Sequence, residues 1–138
     1  LWQGCLSPPR AKLGTVKFDI DWFKKINDTH GHQAGDSVLK EISLLLKNNT
    51  RPMDVLGRWG GEEFMILCPE TDLKNAQILG NRICSSVAKH QFTINTQVTI
   101  SVGVTEFLTQ EKPDDLIKRV DDNLYTAKHQ GKNIVVAV

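Results

Sequence analysis

At 138 residues, with 40% hydrophobic and 24% charged side chains, the chain is one domain of ordinary globular composition, which disfavours disorder. Its 17 basic and 16 acidic residues leave a net charge of +1, so there is no electrostatic case for a nucleic-acid partner. No apolar run approaches the roughly 20 residues that a membrane span needs, so no membrane contact is expected of this domain.

In chain order, residues 1–12 hold Gly4, Ser7, Pro8 and Pro9, a breaker-rich stretch expected as coil up to Leu13. From Val16 the alternation of Val16, Phe18 and Ile20 with Lys17 and Asp19 predicts a strand. Trp22 to Asn27 then reads as a short helix ending before Gly31. A loop is expected from Thr29 to Gly35, and Val38, Ile42 and Leu45 recur at helical spacing over about Gln33 to Asn49, until Pro52. Val55, Leu56 and Trp59 lead into a glycine pair, and the apolar run Phe64 to Cys68 leaves it, which predicts a hairpin turning at Gly60-Gly61. Asp72 suits the cap of a helix whose buried stripe is Ala76, Leu79, Ile83 and Val87. Val98 to Val104 alternates as a strand. Pro113 and Asp114 open a last helix, with Leu116, Val120, Leu124 and Ala127 inward, and Gly131 closes it before a strand from Ile134 to Val138. This order predicts an α/β (α+β sandwich) fold, a ferredoxin-like βαββαβ core whose mainly antiparallel sheet is flanked by helices, with a helix and strand appended.

The three cysteines, Cys5, Cys68 and Cys84, are odd in number and lack Cys-x-x-Cys spacing, against both a disulfide framework and a zinc site. A reduced, cytoplasmic setting is the simpler expectation. The chain opens at Leu1 with no methionine or signal-peptide pattern and reads as a piece of something longer, whose own anchoring is left open.

Chemistry concentrates in two places. Gly60 and Gly61 precede Glu62 and Glu63, which on successive strand positions would point to opposite faces. Asp19 and Asp21 stand where the first strand gives way to a loop, the edge at which α/β sheets commonly hold ligands. A lone Gly-Gly-Glu-Glu is most often a solvated hairpin; the upstream acids lift this one above that reading. Magnesium is usually held by one or two carboxylates together with a nucleotide's phosphates, and Asp19 and Glu62 supply that number. Asp21 alone reads as the cap of the following helix, Asn27 as a helix C-terminal residue and Asp36 as an N-cap.

Three motifs in order, Phe18-Asp-Ile-Asp-Trp-Phe-Lys-Lys-Ile-Asn-Asp28, Gly31-His-Gln-Ala-Gly-Asp36 and Gly60-Gly-Glu-Glu-Phe64, resemble the GGDEF family of diguanylate cyclases, in its GGEEF form. The likeness runs from about Lys12 to Val138, with 13–138 as the catalytic domain, while the family's usual first helix and its Asp-x-Leu-Thr-Gly-Leu signature are not found in residues 1–12. That absence puts the stability and activity of this form in question.

The resemblance implies a palm-like fold that joins two GTP into cyclic di-GMP with release of pyrophosphate, one half-site per subunit of a transient two-fold homodimer. It implies two divalent ions, Mg2+ or Mn2+, per half-site, held by Asp19, Glu62 and the main-chain carbonyl of Ile20. Gly60, Gly61, Glu62 and Glu63 would form the catalytic hairpin, with Glu62 either a metal ligand that also takes the proton of the ribose 3′-hydroxyl or a purely metal-binding residue. Glu63 would support the hairpin or lie near the second metal. Lys24, Lys128 and Lys132 match positions that meet GTP phosphates, Lys132 standing where many members carry arginine. Asn27 and Asp36 match the pair that reads guanine, with Phe23 and His32 beside the substrate. Arg51-Pro-Met-Asp54, five residues ahead of Gly60, matches the site where cyclic di-GMP inhibits its own synthesis, and Arg82 matches a second contact that the family makes from a neighbouring copy. The alternative is a catalytically silent module that binds cyclic di-GMP or GTP.

Overall fold

The computed structural model describes residues 12–138; Cys5 and the coil expected over residues 1–11 lie outside the described residues. The described chain runs β1 (Leu13–Ile20), α1 (Phe23–His30), α2 (His32–Asn49), β2 (Val55–Gly60), β3 (Glu63–Pro69), α3 (Leu73–Lys89), β4 (Ile100–Glu106), α4 (Pro113–His129) and β5 (Val135–Ala137). The sheet order is β2-β3-β1-β4-β5, antiparallel except for the parallel β4–β5 pair. This is the mixed α/β fold expected, a ferredoxin-like sheet of β1 to β4 extended by α4 and β5.

The sheet separates two apolar layers. Val16, Phe18 and Ile20 of β1, with Phe64 and Ile66 of β3 and Val102 and Val104 of β4, meet Val38, Ile42, Ala76, Ile83 and Val87 of α2 and α3. Leu13, Met65 and Leu67 meet Leu116 and Val120 of α4 on the other face. Each fully buried aliphatic side chain contributes roughly 1.5–3 kcal/mol, so both layers matter. Helix α4 crosses β4 over Gly103, where an added Cβ would lie 2.6 Å from the Leu124 nitrogen and the Val120 carbonyl oxygen. Among the described residues no helix is long and apolar enough to cross a membrane.

Several local expectations are corrected. The strand expected from Val16 starts at Leu13, and the one expected from Val98 starts at Ile100. The loop expected over Thr29 to Gly35 is a single residue, because α1 reaches His30 and α2 begins at His32. Gly31 joins them with a φ of 91°, a left-handed conformation open to a residue without Cβ. Asp36 therefore lies inside α2 rather than at its cap. The hairpin turns one residue later than expected: Gly60 pairs with Glu63, so Gly61 and Glu62 form the tip. The register shifts between Arg58 and Gly60, a bulge that leaves Trp59 outside the ladder. Glu62 thus belongs to a turn, and the opposite-face argument for Glu62 and Glu63 does not apply. Capping of α3 by Asp72 is as expected: its carboxylate accepts from the Asn75 amide at 2.9 Å.

Candidate active site

One end of the sheet gathers the C-terminus of β1, the tip between β2 and β3, the start of β4 and the last turn of α4. Asp19 pairs with Glu63 on one side and Ser101 on the other, and the Ile20 amide donates to the Glu62 carbonyl at 3.3 Å. The register alone therefore brings Asp19, Ile20, Glu62 and Glu63 to one rim. Arg58 fixes the tip by donating twice, at 3.1 and 2.6 Å, to the Gly61 carbonyl oxygen. Neither Gly60 nor Gly61 adopts a left-handed φ. The tip is open: a Cβ at Gly61 would meet nothing within 4 Å, and one at Gly60 only Glu63 Oε1 at 3.9 Å.

Electrostatically the rim is under-neutralised. Asp19 Oδ1 is buried without a hydrogen-bond partner, and the Lys128 ammonium lies 3.6 Å away. Burial pushes the Asp19 carboxyl up to about 7; Lys128 opposes the shift, while Glu62 and Glu63 add to it. Crowded carboxylates with an orphaned oxygen suit a divalent cation that arrives with phosphates. Among the described residues no three His, Cys, Asp or Glu side chains could hold a metal ion. A magnesium-type ion is usually held by only one or two carboxylates, with waters and nucleotide phosphates completing its shell.

Asp21 is not the cap of α1, whose N-cap is Trp22 without any side-chain bond. Its carboxylate is 1% exposed and accepts from Ser101 (2.6 Å), Thr99 (2.7 Å), Lys128 (2.9 Å) and the Asn133 amide (3.0 Å). Burial alone would raise its pKa; the bonds from Ser101, Lys128 and Thr99 outweigh that and hold it below the usual carboxylate range. Lys132 stands beside this cluster with its ammonium 4.8 Å from the Trp22 ring centroid. Lys24 is exposed on the first turn of α1.

Phe23 and Asn27 both lie over Gly35, where a Cβ would overlap Asn27 Oδ1. That oxygen is buried with no partner, one residue from exposed Asp36, and His32 is exposed on the first turn of α2. The structure therefore brings Asn27 beside the turn of α2 that carries Asp36, with an acceptor left unsatisfied there.

A profile of the family described as Diguanylate cyclase, GGDEF domain, matches residues 1–134. The chain belongs to the GGDEF family. It is 43% identical over 138 residues to the response regulator PleD of Caulobacter vibrioides, an alignment covering 92% of this chain and 30% of PleD. The chain thus spans under a third of that relative. The GGEEF domain of an active diguanylate cyclase from Vibrio cholerae is 34% identical with a TM-score of 0.86, covering 91% of this chain and 81% of that one. The GGDEF domain of DgcB from Caulobacter crescentus, solved with cyclic di-GMP, is 29% identical with a TM-score of 0.86, covering 91% and 77%. Divalent metal is general to diguanylate cyclases of this family, in keeping with the rim just described.

On the GGDEF domain's other side, Arg51, Asp54 and Arg82 line one cavity of about 270 Å³ with Thr71 and Asn75. Arg51 donates to Asp54 Oδ1 (2.9 Å), the Pro69 carbonyl (3.0 Å) and Thr71 Oγ1 (2.7 Å), and Arg82 donates to the Asn49 carbonyl (2.6 Å). Arg82, expected as a contact from a neighbouring copy, thus lines the same cavity as Arg51 and Asp54 of its own chain, which their spacing in sequence does not reveal. Cys68, on the strand beside them, is buried, and burial pushes its thiol up to about 12, which keeps it an inert core residue.

Sequence reasoning missed three residues near the rim. Lys17 is 3% exposed yet pairs with Asp121 (2.5 Å) and Glu63 (3.4 Å), with the Trp59 ring centroid 5.1 Å from its ammonium. Thr99 and Ser101, read only as strand residues, are the hydroxyls that hold Asp21. No local signal marks Lys17 as buried, because its alternation with Val16 and Phe18 reads as a solvated strand face and its Asp121 partner lies 104 positions away.

Proposed function

We propose that this GGDEF domain is a diguanylate cyclase catalytic unit that condenses two GTP molecules into cyclic di-GMP, with one nucleotide bound per subunit. The observation that carries the reading is the buried, unpartnered Oδ1 of Asp19 set against Glu62, Glu63 and Lys128 beside the open Gly60-Gly61 tip. Asp19, Glu62 and the Ile20 carbonyl would hold Mg2+ or Mn2+, two ions per half-site. The bound metal supplies charge neutralisation at the phosphates and lowers the pKa of an oxygen attached to it. Lys24, Lys128 and Lys132 meet the triphosphate as point charges, Lys132 doing so without the bidentate fork of an arginine. Gly60 and Gly61 let the phosphates approach the backbone. Asn27 and Asp36 read guanine: a carboxylate accepts N1–H and the amino group together, and the unpartnered Asn27 oxygen sits beside it ready for the edge of the ring. Phe23 and His32 flank that pocket.

Chemistry then requires two such subunits. Each ribose 3′-hydroxyl forms a bond to the other nucleotide's α-phosphorus as the bond to pyrophosphate breaks, and each hydroxyl proton leaves to a carboxylate or to water. Two GTP give one cyclic di-GMP and two pyrophosphates. Arg51, Asp54 and Arg82 supply the product-binding cavity, where guanidinium groups suit phosphate and guanine edges.

Incubation with GTP and Mg2+, followed by mass analysis, tests the activity. Cyclic di-GMP with pyrophosphate is expected. A product made from one nucleotide, or unchanged GTP from a folded protein that binds it, overturns the reading.

A further inference from the structure

We infer that Asp21 is a positioning residue for the triphosphate: its buried carboxylate sets the Lys128 ammonium and the Lys132–Asn133 turn against the nucleotide site. The inference rests on the cyclase reading and adds to it a residue that contacts no substrate. Three separate segments end on this one side chain. Ser101 and Lys128 donate to Oδ1 at 2.6 and 2.9 Å, and Thr99 and the Asn133 amide donate to Oδ2 at 2.7 and 3.0 Å. Both oxygens are therefore saturated by donors from β4 and its lead-in, from the last turn of α4 and from the loop into β5. The Lys128 side chain is 19% exposed and is held 3.6 Å from Asp19 by this contact.

The backbone supports the same reading. Trp22, next to Asp21, has φ 60°, and Lys132 and Asn133 have φ 65° and 51°, left-handed conformations uncommon for residues with side chains. Such conformations persist where surroundings over-determine them, and they cluster at functional sites. Here the two unusual turns meet through the Asn133–Asp21 bond and through the Lys132 ammonium over the Trp22 ring. A scaffold carboxylate could tie β4 to β5 without engaging a lysine; this one binds Lys128 directly and anchors the turn of Lys132 through the Asn133 amide.

Asparagine at this position would replace one acceptor oxygen with an amino group facing two donors, and would remove the charge opposite Lys128. The test is a double-mutant cycle on affinity for a non-hydrolysable GTP analogue with Mg2+, read by calorimetry on variants whose folding is checked by circular dichroism. Asp21→Asn and Lys128→Met are each expected to weaken binding about tenfold, and the double variant to be no more than about threefold weaker than the worse single one, since residues acting through one contact are non-additive. A roughly hundredfold, additive loss overturns the inference, as does unchanged affinity in folded Asp21→Asn. A purely structural carboxylate would lower the melting temperature without coupling to Lys128 in nucleotide affinity.

If Asp21→Asn does not fold, the cycle of Ser101→Ala with Lys128→Met decides. Ser101→Ala alone is expected to cost about threefold and nothing further in the Lys128→Met background; additivity overturns the inference. Product analysis separates the two levels. Wild-type protein that binds the analogue but makes no cyclic di-GMP removes the cyclase reading, and the binding cycle still decides on Asp21. An active wild type with an additive cycle removes this inference alone.

Discussion

Asp19 costs the folded chain stability. Its Oδ1 is buried without a hydrogen-bond partner, next to two other acids, and is retained against its own desolvation, as expected of a residue kept for the chemistry proposed above. Asp19→Asn should abolish turnover while leaving the melting temperature, measured without Mg2+, equal to or above that of wild type. A clear fall in melting temperature would show that Asp19 is a structural partner of Lys128 instead. Glu62→Ala, at the half-buried residue of the hairpin tip, should likewise lose turnover with no more than about 0.5 kcal/mol change in stability. At the other cavity, Arg51→Ala removes donors to Asp54, Pro69 and Thr71 and should relieve inhibition by cyclic di-GMP without lowering the initial rate; calorimetry showing unchanged product affinity would return Arg51 and Asp54 to an ordinary surface pair. The acids of the rim were legible in the sequence because they interrupt apolar runs. Asp21 was misread because its four donors come from residues about 80 to 112 positions away, and no local pattern carries such partners.

The helices were the easier elements, since one buried stripe per helix is written at 3.6-residue spacing, and Leu116, Val120, Leu124 and Ala127 of α4 face inward as that spacing predicts. Strand β1 was harder. Its alternation of Lys17 and Asp19 with apolar residues implies a wet face, yet α4 covers that face, and the polar side chains there form ion pairs instead. The hairpin turn was displaced by a bulge at Trp59, which a count of glycines cannot reveal. Two predictions belong to how α4 is seated. Gly103→Ala would press a methyl group against backbone atoms of Leu124 and Val120 that cannot yield as a side chain can, and should cost roughly 1–3 kcal/mol in urea unfolding. A cost near zero would mean that α4 shifts freely on β4. The lead-in to α4 is clamped by Arg119, which donates to Glu111 at 2.6 and 2.7 Å, while the Leu108 amide donates to Glu111 at 3.0 Å. Those contacts hold the Glu111 carboxyl below its usual range, Arg119 foremost. The stabilisation is therefore fully present above the ordinary glutamate pKa and is lost as pH falls through the lower folded value. Glu111→Gln should destabilise the protein by roughly 1–3 kcal/mol at pH 7, with the gap to wild type closing below about pH 4. A gap that stays constant down to pH 3 would show that the charge on Glu111 is immaterial.

At the scale of the whole molecule, stoichiometry sets the assembly that the proposed reaction needs. Each chain carries one Asn27–Asp36 pair, one Gly60-Gly61 tip and one group of rim carboxylates, enough for a single GTP, whereas cyclic di-GMP contains two equivalent guanylyl units. On the proposed cyclase reading the two phosphodiester bonds are identical by symmetry, which calls for two subunits facing each other across a two-fold axis, each presenting its nucleotide as the other's nucleophile. The described residues show no heptad seam, and the stripes of α2, α3 and α4 are used up by the two layers on the sheet. Large apolar side chains that stay exposed include Trp22 and Trp59, at 64% and 54%, both in the segments that build the rim. Two such residues amount to a small patch rather than the roughly 800 Å² per partner of a standard stable interface. The pair should therefore form transiently, held together largely by the two bound nucleotides, and a tether that raises the effective concentration should substitute for intrinsic affinity. Specific activity is then expected to climb with protein concentration, in proportion while dimers are scarce, and to level off only as dimers dominate in sedimentation velocity. Fusion to a parallel dimeric coiled coil should lift activity most at the lowest concentrations and leave the plateau unchanged. Specific activity that stays constant far below any detectable dimer would mean that one chain binds and joins both nucleotides, and the shared-site mechanism would fall.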